Sequence, residues 1–298
     1  MFDHNESLEQ ARERNINDAL LEDIGKGDWT AMLVPDDGTV TAKLIVRQEA
    51  VLCGQAWFEG CLKKLDGSAQ IKWSYNEGDL MKADTTVCDI IAKPRALLSA
   101  ERPAINFLQT LSWTATITRQ HVKAIEGASP NPKGCAVLDT RKTIPGLRQA
   151  QKYAVTIGSG KNQRLALWHG ILIKENHIAA AGGISAAMQA AIALNSGVDI
   201  QIEVESIAEL QEALSAGATS ILIDNFSLDQ MREAVAITKG AALLEASGGV
   251  SLDQLKHIAA TGVDRISIGK LTKDVIAVDF SLRVQRSEEH TSELQSQS

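Results

Sequence analysis

Aromatic side chains are scarce. Tyrosine, phenylalanine and tryptophan together make up 4% of the 298 residues, and they are spread along the chain. A single-stranded nucleic-acid surface stacks bases on aromatic platforms, so the scarcity argues against one. Positive charge is also in deficit. The formal net charge of -7 disfavours general binding to nucleic acid or to an anionic membrane. The four cysteines, Cys53, Cys61, Cys88 and Cys135, lie far apart and form no C-x-x-C pair. Neither a disulfide framework nor a zinc site is expected; reduced core thiols are. No apolar run approaches the roughly 18 residues of a membrane span. The opening Met1-Phe2-Asp3-His4-Asn5-Glu6 is acidic and has no apolar signal core, so a cytoplasmic protein is expected. What remains, 44% hydrophobic and 22% charged residues, suits a soluble enzyme with one large domain, or one large and one small.

From Gly134 onward, short apolar runs each end in polar or charged residues. Ala136-Val137-Leu138 leads into Asp139 to Lys142, and Ile171-Leu172-Ile173 into Lys174. Ile200 to Val204 carries Glu203, Ile221-Leu222-Ile223 ends in Asp224, Ala242-Leu243-Leu244 runs into Glu245 and Ser247-Gly248-Gly249, and Ile266-Ser267-Ile268 ends in Gly269. Continuous apolar strands are what a parallel sheet covered on both faces requires. Helices with start and stop signals lie between them. Ser206 with Glu209, Ser227 with Gln230 and Ser251 with Gln254 read as capping boxes, and a fourth helix is expected from Ser185 to Ser196. Glu203, Asp224, Glu245 and Ser267 recur at intervals of 21, 21 and 22 residues, the length of a strand-helix unit. Such units can stay open as a doubly wound sheet, but Asp139-Thr140-Arg141-Lys142 is no dinucleotide turn. A parallel β/α barrel over 115–271 is favoured, and six clear strands leave room for it to be incomplete.

The first half differs. Asn17 to Leu21 and Trp57 to Leu65 read as helical, while Thr39 to Val46 and Gln70 to Tyr75 alternate like strands with one exposed face. Ala96 to Leu111 is a long helix in which Arg102-Pro103 should make a kink or a fresh start. Glu77-Gly78-Asp79-Leu80-Met81-Lys82 superficially resembles a lipoyl-type hairpin, yet a plain turn explains it. The α/β chain therefore divides into an α+β open-sandwich domain at 1–114, on which 272–286 can pack back, and the barrel. Ser287 to Ser298 is polar, offers no apolar face, and reads as a non-native tail.

The densest chemistry is Leu138-Asp139-Thr140-Arg141-Lys142-Thr143-Ile144-Pro145-Gly146-Leu147-Arg148, with three fixed positive charges within eight residues. In an acidic chain that patch suits an anionic ligand, and it follows a strand, where barrel enzymes keep their chemistry. A solvated charged loop is the plain alternative. The same rim would collect Lys174, Glu203, Asp224 and, from the turn Gly158-Ser159-Gly160, Arg164. Arginine forks match carboxylates, lysines match phosphates, and glycine-rich strand ends can offer N–H groups to phosphate. Glu203 and Asp224 suit ribose hydroxyls, a divalent metal or a developing cation. Glu205 and Glu245 can equally pair with cations of the barrel wall, and His169 and His177 read as ordinary packing or surface residues. Together the charges point to an enzyme acting on a carboxylated and phosphorylated small molecule.

Asp139-Thr140-Arg141-Lys142-Thr143 with Pro145-Gly146-Leu147-Arg148, then Leu172-Ile173-Lys174-Glu175-Asn176-His177, Glu203-Val204-Glu205 and Asp224-Asn225 resemble the quinolinate phosphoribosyltransferase family, in order from about Ile16 to Arg283. The resemblance implies coupling of quinolinate to phosphoribosyl pyrophosphate with Mg²⁺, releasing pyrophosphate and CO2 to give nicotinate mononucleotide for NAD synthesis. It implies that Arg141, Arg164 and Lys174, with Thr140 beside them, hold the quinolinate carboxylates, and that Lys142 faces phosphoribosyl pyrophosphate. By the same resemblance Glu203 and Asp224 meet ribose directly or through Mg²⁺, and Ser247-Gly248-Gly249 with Ile268-Gly269 hold the 5′-phosphate. A homodimer is implied, with Arg102 placed in the partner's site. One departure stands out: where the family's glycine turn is frequently followed by His-Arg, this chain has Gln163-Arg164, so Gln163 is expected to donate a hydrogen bond to a substrate carboxylate without adding charge. Two rivals remain: a related phosphoribosyltransferase for another acid, and a non-catalytic sensor on the same scaffold.

Overall fold

The computed structural model describes residues 5–285; the tail expected at Ser287 to Ser298 lies outside the described residues. Two compact units divide the chain, one formed by residues up to 116 together with those from 275 onward, the other by 117–274.

Unit one contains α1 (Leu8–Ile24), β1 (Val40–Val46), β2 (Ala50–Val51), α2 (Gln55–Leu65), β3 (Gln70–Trp73), β4 (Leu80–Met81), β5 (Thr85–Ala92) and most of α3 (Pro94–Ile125). The last strand of the chain, β12 (Phe280–Val284), returns to complete it. These strands form an antiparallel sheet in the order β12-β1-β5-β3. Ala42, Leu44 and Val46 of β1 are all buried, the period-two face that an antiparallel sheet turns to its core. Helix α1 starts well before Asn17 because Ser7 and Gln10 form a reciprocal capping box. The segment at 77–83 is a plain turn: Asn76 N donates to Asp79 Oδ2 at 2.7 Å, and β4 pairs with β2.

Helix α3 departs from expectation. It runs unbroken through Pro103 and continues to Ile125. Proline removes one backbone donor, but Leu97, Ala100, Ala104, Leu108 and Leu111 bury one continuous face, and that packing outweighs a single lost bond.

Unit two follows β6 (Ala136–Leu138), α4 (Arg148–Ile157), β7 (Ile171–Ile173), α5 (Glu175–Ala181), α6 (Ile184–Ala193), β8 (Ile200–Val204), α7 (Ile207–Ser215), β9 (Ser220–Asp224), α8 (Leu228–Thr238), β10 (Leu243–Ser247), α9 (Leu255–Ala259), β11 (Arg265–Ser267) and α10 (Lys270–Lys273). Six parallel strands lie in the order β6-β11-β10-β9-β8-β7. Among the described residues no ladder joins β6 to β7, and only a lone parallel bridge, Leu138 to Lys161, extends the β6 edge. The barrel is therefore incomplete. Ile202, Val204, Ile221, Ile223, Leu244, Ala246 and Ile266 are buried in its core. Ser227 and Gln230 cap α8 reciprocally. Ser251 does not cap α9, because its hydroxyl donates to Gln254 Oε1 at 2.9 Å and the helix begins only at Leu255.

Candidate active site

Strand register gathers the site. Leu138 pairs with Ser267, Ser247 with Asp224, Val204 with Ile223, and Ile202 with Ile173. The C-terminal ends of all six strands thus lie at one edge of unit two. Thr140, Arg141, Lys142, Lys174, Glu203, Asp224, Ser247, Gly248, Gly249, Ile268 and Gly269 stand at or next to those ends, where open and closed α/β sheets bind ligands.

The loop after β6 folds onto the loop after β11. Lys142 N donates to Thr140 Oγ1 at 3.1 Å, and Thr272 Oγ1 donates to the Lys142 carbonyl at 2.7 Å. A Cβ on Gly269 would lie 3.0 Å from Lys142 Cδ and 3.6 Å from Thr140 Oγ1. Glycine is what lets the two loops approach.

The ends of β9 and β10 lock together similarly. Asn225, with φ +56°, donates its backbone N–H to the Ser247 carbonyl at 3.1 Å and its amide to Asp224 Oδ2 at 2.8 Å. Gly248 has φ +104°, and a Cβ there would fall 2.2 Å from Asn225 Oδ1 and 2.9 Å from Asn225 N. Gly248→Ala should therefore displace the Asp224–Asn225 pair, at a cost on the order of 1–3 kcal/mol for the backbone strain alone. A lowered Tm together with a raised KM for the phosphorylated substrate is the expected result; a variant matching wild type in both would show the turn to be adaptable.

Cations occupy the other end of the row. Lys174 Nζ lies 2.8 Å from Glu203 Oε2, with the Glu203 side chain nearly buried. The Arg164 guanidinium donates to the Gly170 carbonyl at 2.9 Å. Burial and the like charge of Arg141 both push its pKa down. Arg141 itself has a buried Nε with no hydrogen-bond partner. Arg141 and Arg164 thus lie within electrostatic reach of each other, and guanidinium groups match carboxylates in shape and charge.

Gln163 is placed differently from expectation. Its Nε2 donates to Gln201 Oε1 at 2.7 Å, and its Oε1 accepts the Arg164 N–H. The amide is engaged within unit two. His169 and His177 have local roles, each Nδ1 accepting a backbone N–H at 3.0 Å. Glu245 pairs with Arg265 at 3.2 Å, a barrel-wall role. Arg102 lies in unit one on α3, exposed, beside buried Pro103, Ala104 and Ile105. The four cysteines are free. Among the described residues no group of three or more His, Cys, Asp or Glu side chains could hold a metal ion, and no helix is long and apolar enough to cross a membrane.

Three residues on α4 support the site: Lys152 and Gln151, which the sequence does not single out, and Arg148 of the basic patch. Lys152 Nζ donates to Asp139 Oδ1 at 2.5 Å and to the Gln163 carbonyl at 2.9 Å, and Gln163 N donates to the same Asp139 oxygen at 2.8 Å. Gln151 ties Ile144 N (2.8 Å) to the Thr272 carbonyl (2.7 Å). Arg148 donates to Thr143 Oγ1 at 3.2 Å. Lys152 and Asp139 are both buried. Burial lifts the Asp139 carboxyl to about 6 against the attraction of Lys152. Lys152→Met would leave that carboxylate buried and unpaired, at a cost of about 3–5 kcal/mol. Without Lys152 the carboxyl rises further. Since a folded-state pKa above the unfolded value favours folding at low pH, the deficit should shrink as pH falls from 7 to 5. Thermal unfolding across that range checks this; a deficit that grows at pH 5 would contradict the pairing.

Comparison with known proteins bears on this geometry directly. Residues 114–283 match the family model described as the quinolinate phosphoribosyl transferase C-terminal domain, and residues 28–112 match its N-terminal domain. The chain belongs to the quinolinate phosphoribosyltransferase family. A Bacillus subtilis relative named probable nicotinate-nucleotide pyrophosphorylase (carboxylating) is 37% identical over 93% of this chain and 95% of its own length. The solved nicotinate-nucleotide pyrophosphorylase of Francisella tularensis is 41% identical, covers 95% of this chain and 100% of its own, and superposes with a TM-score of 0.88. That of Ehrlichia chaffeensis is 36% identical, covering 91% and 98%, with a TM-score of 0.85. Members of the quinolinate phosphoribosyltransferase family thus share both units of this chain.

Proposed function

We propose that this chain couples quinolinate to phosphoribosyl pyrophosphate, releasing pyrophosphate and CO2 and yielding nicotinate mononucleotide, a step of NAD synthesis. The observation that carries this reading is Arg141, its Nε buried and unpartnered and its charge felt by Arg164, in the loop after β6 of an acidic chain. Two adjacent carboxylates on a flat ring satisfy such a pair, and Lys174, at the end of β7 and paired with Glu203, adds a third charge. Lys142, exposed at the rim, serves the pyrophosphate side and can deliver a proton to the ring. Ser247-Gly248-Gly249 and Ile268-Gly269 receive the 5′-phosphate.

These side chains do little covalent work. They align the pyridine nitrogen with the anomeric carbon, and proximity lowers the barrier. As pyrophosphate departs, the sugar acquires positive charge, which Glu203 and Asp224 stabilise from fixed positions. The positively charged ring nitrogen then stabilises the electron pair that the departing carboxylate leaves on the adjacent ring carbon, and a proton takes up that pair in place of CO2. Glu203 and Asp224 fit Mg²⁺ that arrives with phosphoribosyl pyrophosphate as part of the substrate, since Mg²⁺ is usually held by one or two carboxylates together with substrate phosphates.

The working unit in this reading is a homodimer, with Arg102 of each subunit reaching the partner's dicarboxylate pocket. Its support is the family resemblance, together with an exposed arginine on a helix anchored by buried Ile105, Phe107 and Leu108. Arg141→Ala tests the pocket. It should raise the quinolinate KM by a factor of about ten to a hundred, for the loss of a charged bidentate contact, and leave the phosphoribosyl pyrophosphate KM unchanged. The opposite pattern would move Arg141 to the other substrate.

A further inference from the structure

A polar row crosses the sheet of unit two that the reaction itself does not use. Gln201, Glu245 and Arg265 lie on β8, β10 and β11, among strands whose buried residues are otherwise mostly apolar. Glu245 is fully buried, and Arg265 Nε stands 3.2 Å from its Oε2. The far end of the Arg265 guanidinium donates to Ser220 Oγ at 2.6 Å. Gln201 Nε2 donates to Glu245 Oε2 at 2.9 Å. The Gln201 side-chain carbonyl in turn accepts from Gln163 Nε2 at 2.7 Å, an amide nitrogen that also reaches both Glu245 oxygens directly at 3.5 Å, and the Gln163 side-chain carbonyl accepts the Arg164 N–H.

Direction is what distinguishes this row. An ionised carboxylate only accepts hydrogen bonds, so Gln201 must turn its NH2 toward Glu245. Its carbonyl then faces Gln163, which must answer with its own NH2 and leave its carbonyl for Arg164. One buried charge orients two amides in sequence, and Arg265 makes that charge tolerable in the interior. The Asp139–Lys152 pair holds the main chain of Gln163 from its other side, so Arg164 follows a residue bonded at its N–H, its carbonyl and both ends of its amide.

We infer that Glu245, acting through Gln201 and Gln163, is a positioning residue for Arg164: its charge fixes the direction of both amides and so sets where the Arg164 guanidinium meets the quinolinate carboxylate. This rests on the assignment of Arg164 to quinolinate. Among the described residues the row makes no hydrogen bond or ion pair with Lys142, Gly248 or Gly269, so the phosphate side should not feel it. A glutamine at 245 can bond in either sense. The amides then lose their fixed direction, and some arrangements set an NH2 against the Arg164 N–H.

Glu245→Gln should raise the quinolinate KM on the order of tenfold, the scale of one misplaced charged contact. The phosphoribosyl pyrophosphate KM and the kcat at saturation should stay within twofold of wild type. Hydrogen exchange at the Arg164 amide should quicken. In a Gln163→Ala background the same substitution should change the quinolinate KM by less than twofold, because the row is already cut. A tenfold effect that persists in that background, or an equal rise in both KM values, would overturn the inference. Should Glu245→Gln fail to fold, Gln163→Met cuts the row at its last amide while sparing the ion pair, and must give the same quinolinate-specific rise; no rise would overturn it. Unchanged exchange at Arg164 sinks the positioning role alone. Faster exchange in a protein that does not bind quinolinate would instead sink the assignment of Arg164.

Discussion

Replacing Asp224 by asparagine should reduce kcat far more than quinolinate affinity, with a loss of about 1–4 kcal/mol of transition-state stabilisation. The ground states carry little positive charge near this carboxylate, whereas the sugar becomes cationic as pyrophosphate leaves. An asparagine preserves size and can still bond to ribose, so only the charge is removed. Glu203→Gln should show the same pattern with one addition. Glu203 holds Lys174 at 2.8 Å, and freeing that lysine disturbs the quinolinate side as well. Asp224, whose partner is the neutral amide of Asn225, gives the cleaner measurement. Steady-state kinetics with both substrates varied decides it: a change confined to the quinolinate KM would reverse the roles of carboxylates and cations.

Mixing two inactive variants, Arg102→Ala and Lys174→Ala, should restore activity. If Arg102 serves the partner's pocket, a mixed dimer collects both defects in one site and leaves the other whole. Random exchange makes half of the dimers mixed, each with one working site, so recovery approaches about a quarter of wild type. Either variant alone has both sites damaged. Mass spectrometry of the mixture establishes that subunits have exchanged. No recovery after exchange would mean that Arg102 acts within its own subunit or only on the fold.

Much of unit two is legible in the sequence because its physics is local. A strand buried on both faces must be apolar throughout, so Ile171-Leu172-Ile173 and Ile221-Leu222-Ile223 announce themselves, and the charged residue after each marks the rim. Ser227 with Gln230 announces a helix start for the same reason: cap and partner are three residues apart. Other features depend on contacts the chain makes only once folded. Nothing in the local sequence marks Lys152 until Asp139, thirteen positions away, is brought against it. Gln163 reads as a substrate ligand because it stands where the family it resembles frequently has His, yet its amide is claimed by Gln201 from another strand. Pro103 reads as a helix break because the apolar face that carries α3 past it gains its energy from packing. Ser251 offers the right spacing for a cap and spends its hydroxyl as a donor instead.

Release of pyrophosphate from phosphoribosyl pyrophosphate and Mg²⁺, measured with quinolinate, with nicotinate and with no acid, tests the central assignment most directly. Quinolinate alone should support turnover, with one CO2 formed for each pyrophosphate, because in the proposed reading only a vicinal dicarboxylate satisfies Arg141, Arg164 and Lys174 together and only it carries a carboxylate next to the ring nitrogen to lose. Equal turnover with nicotinate, or none with any acid, would contradict it.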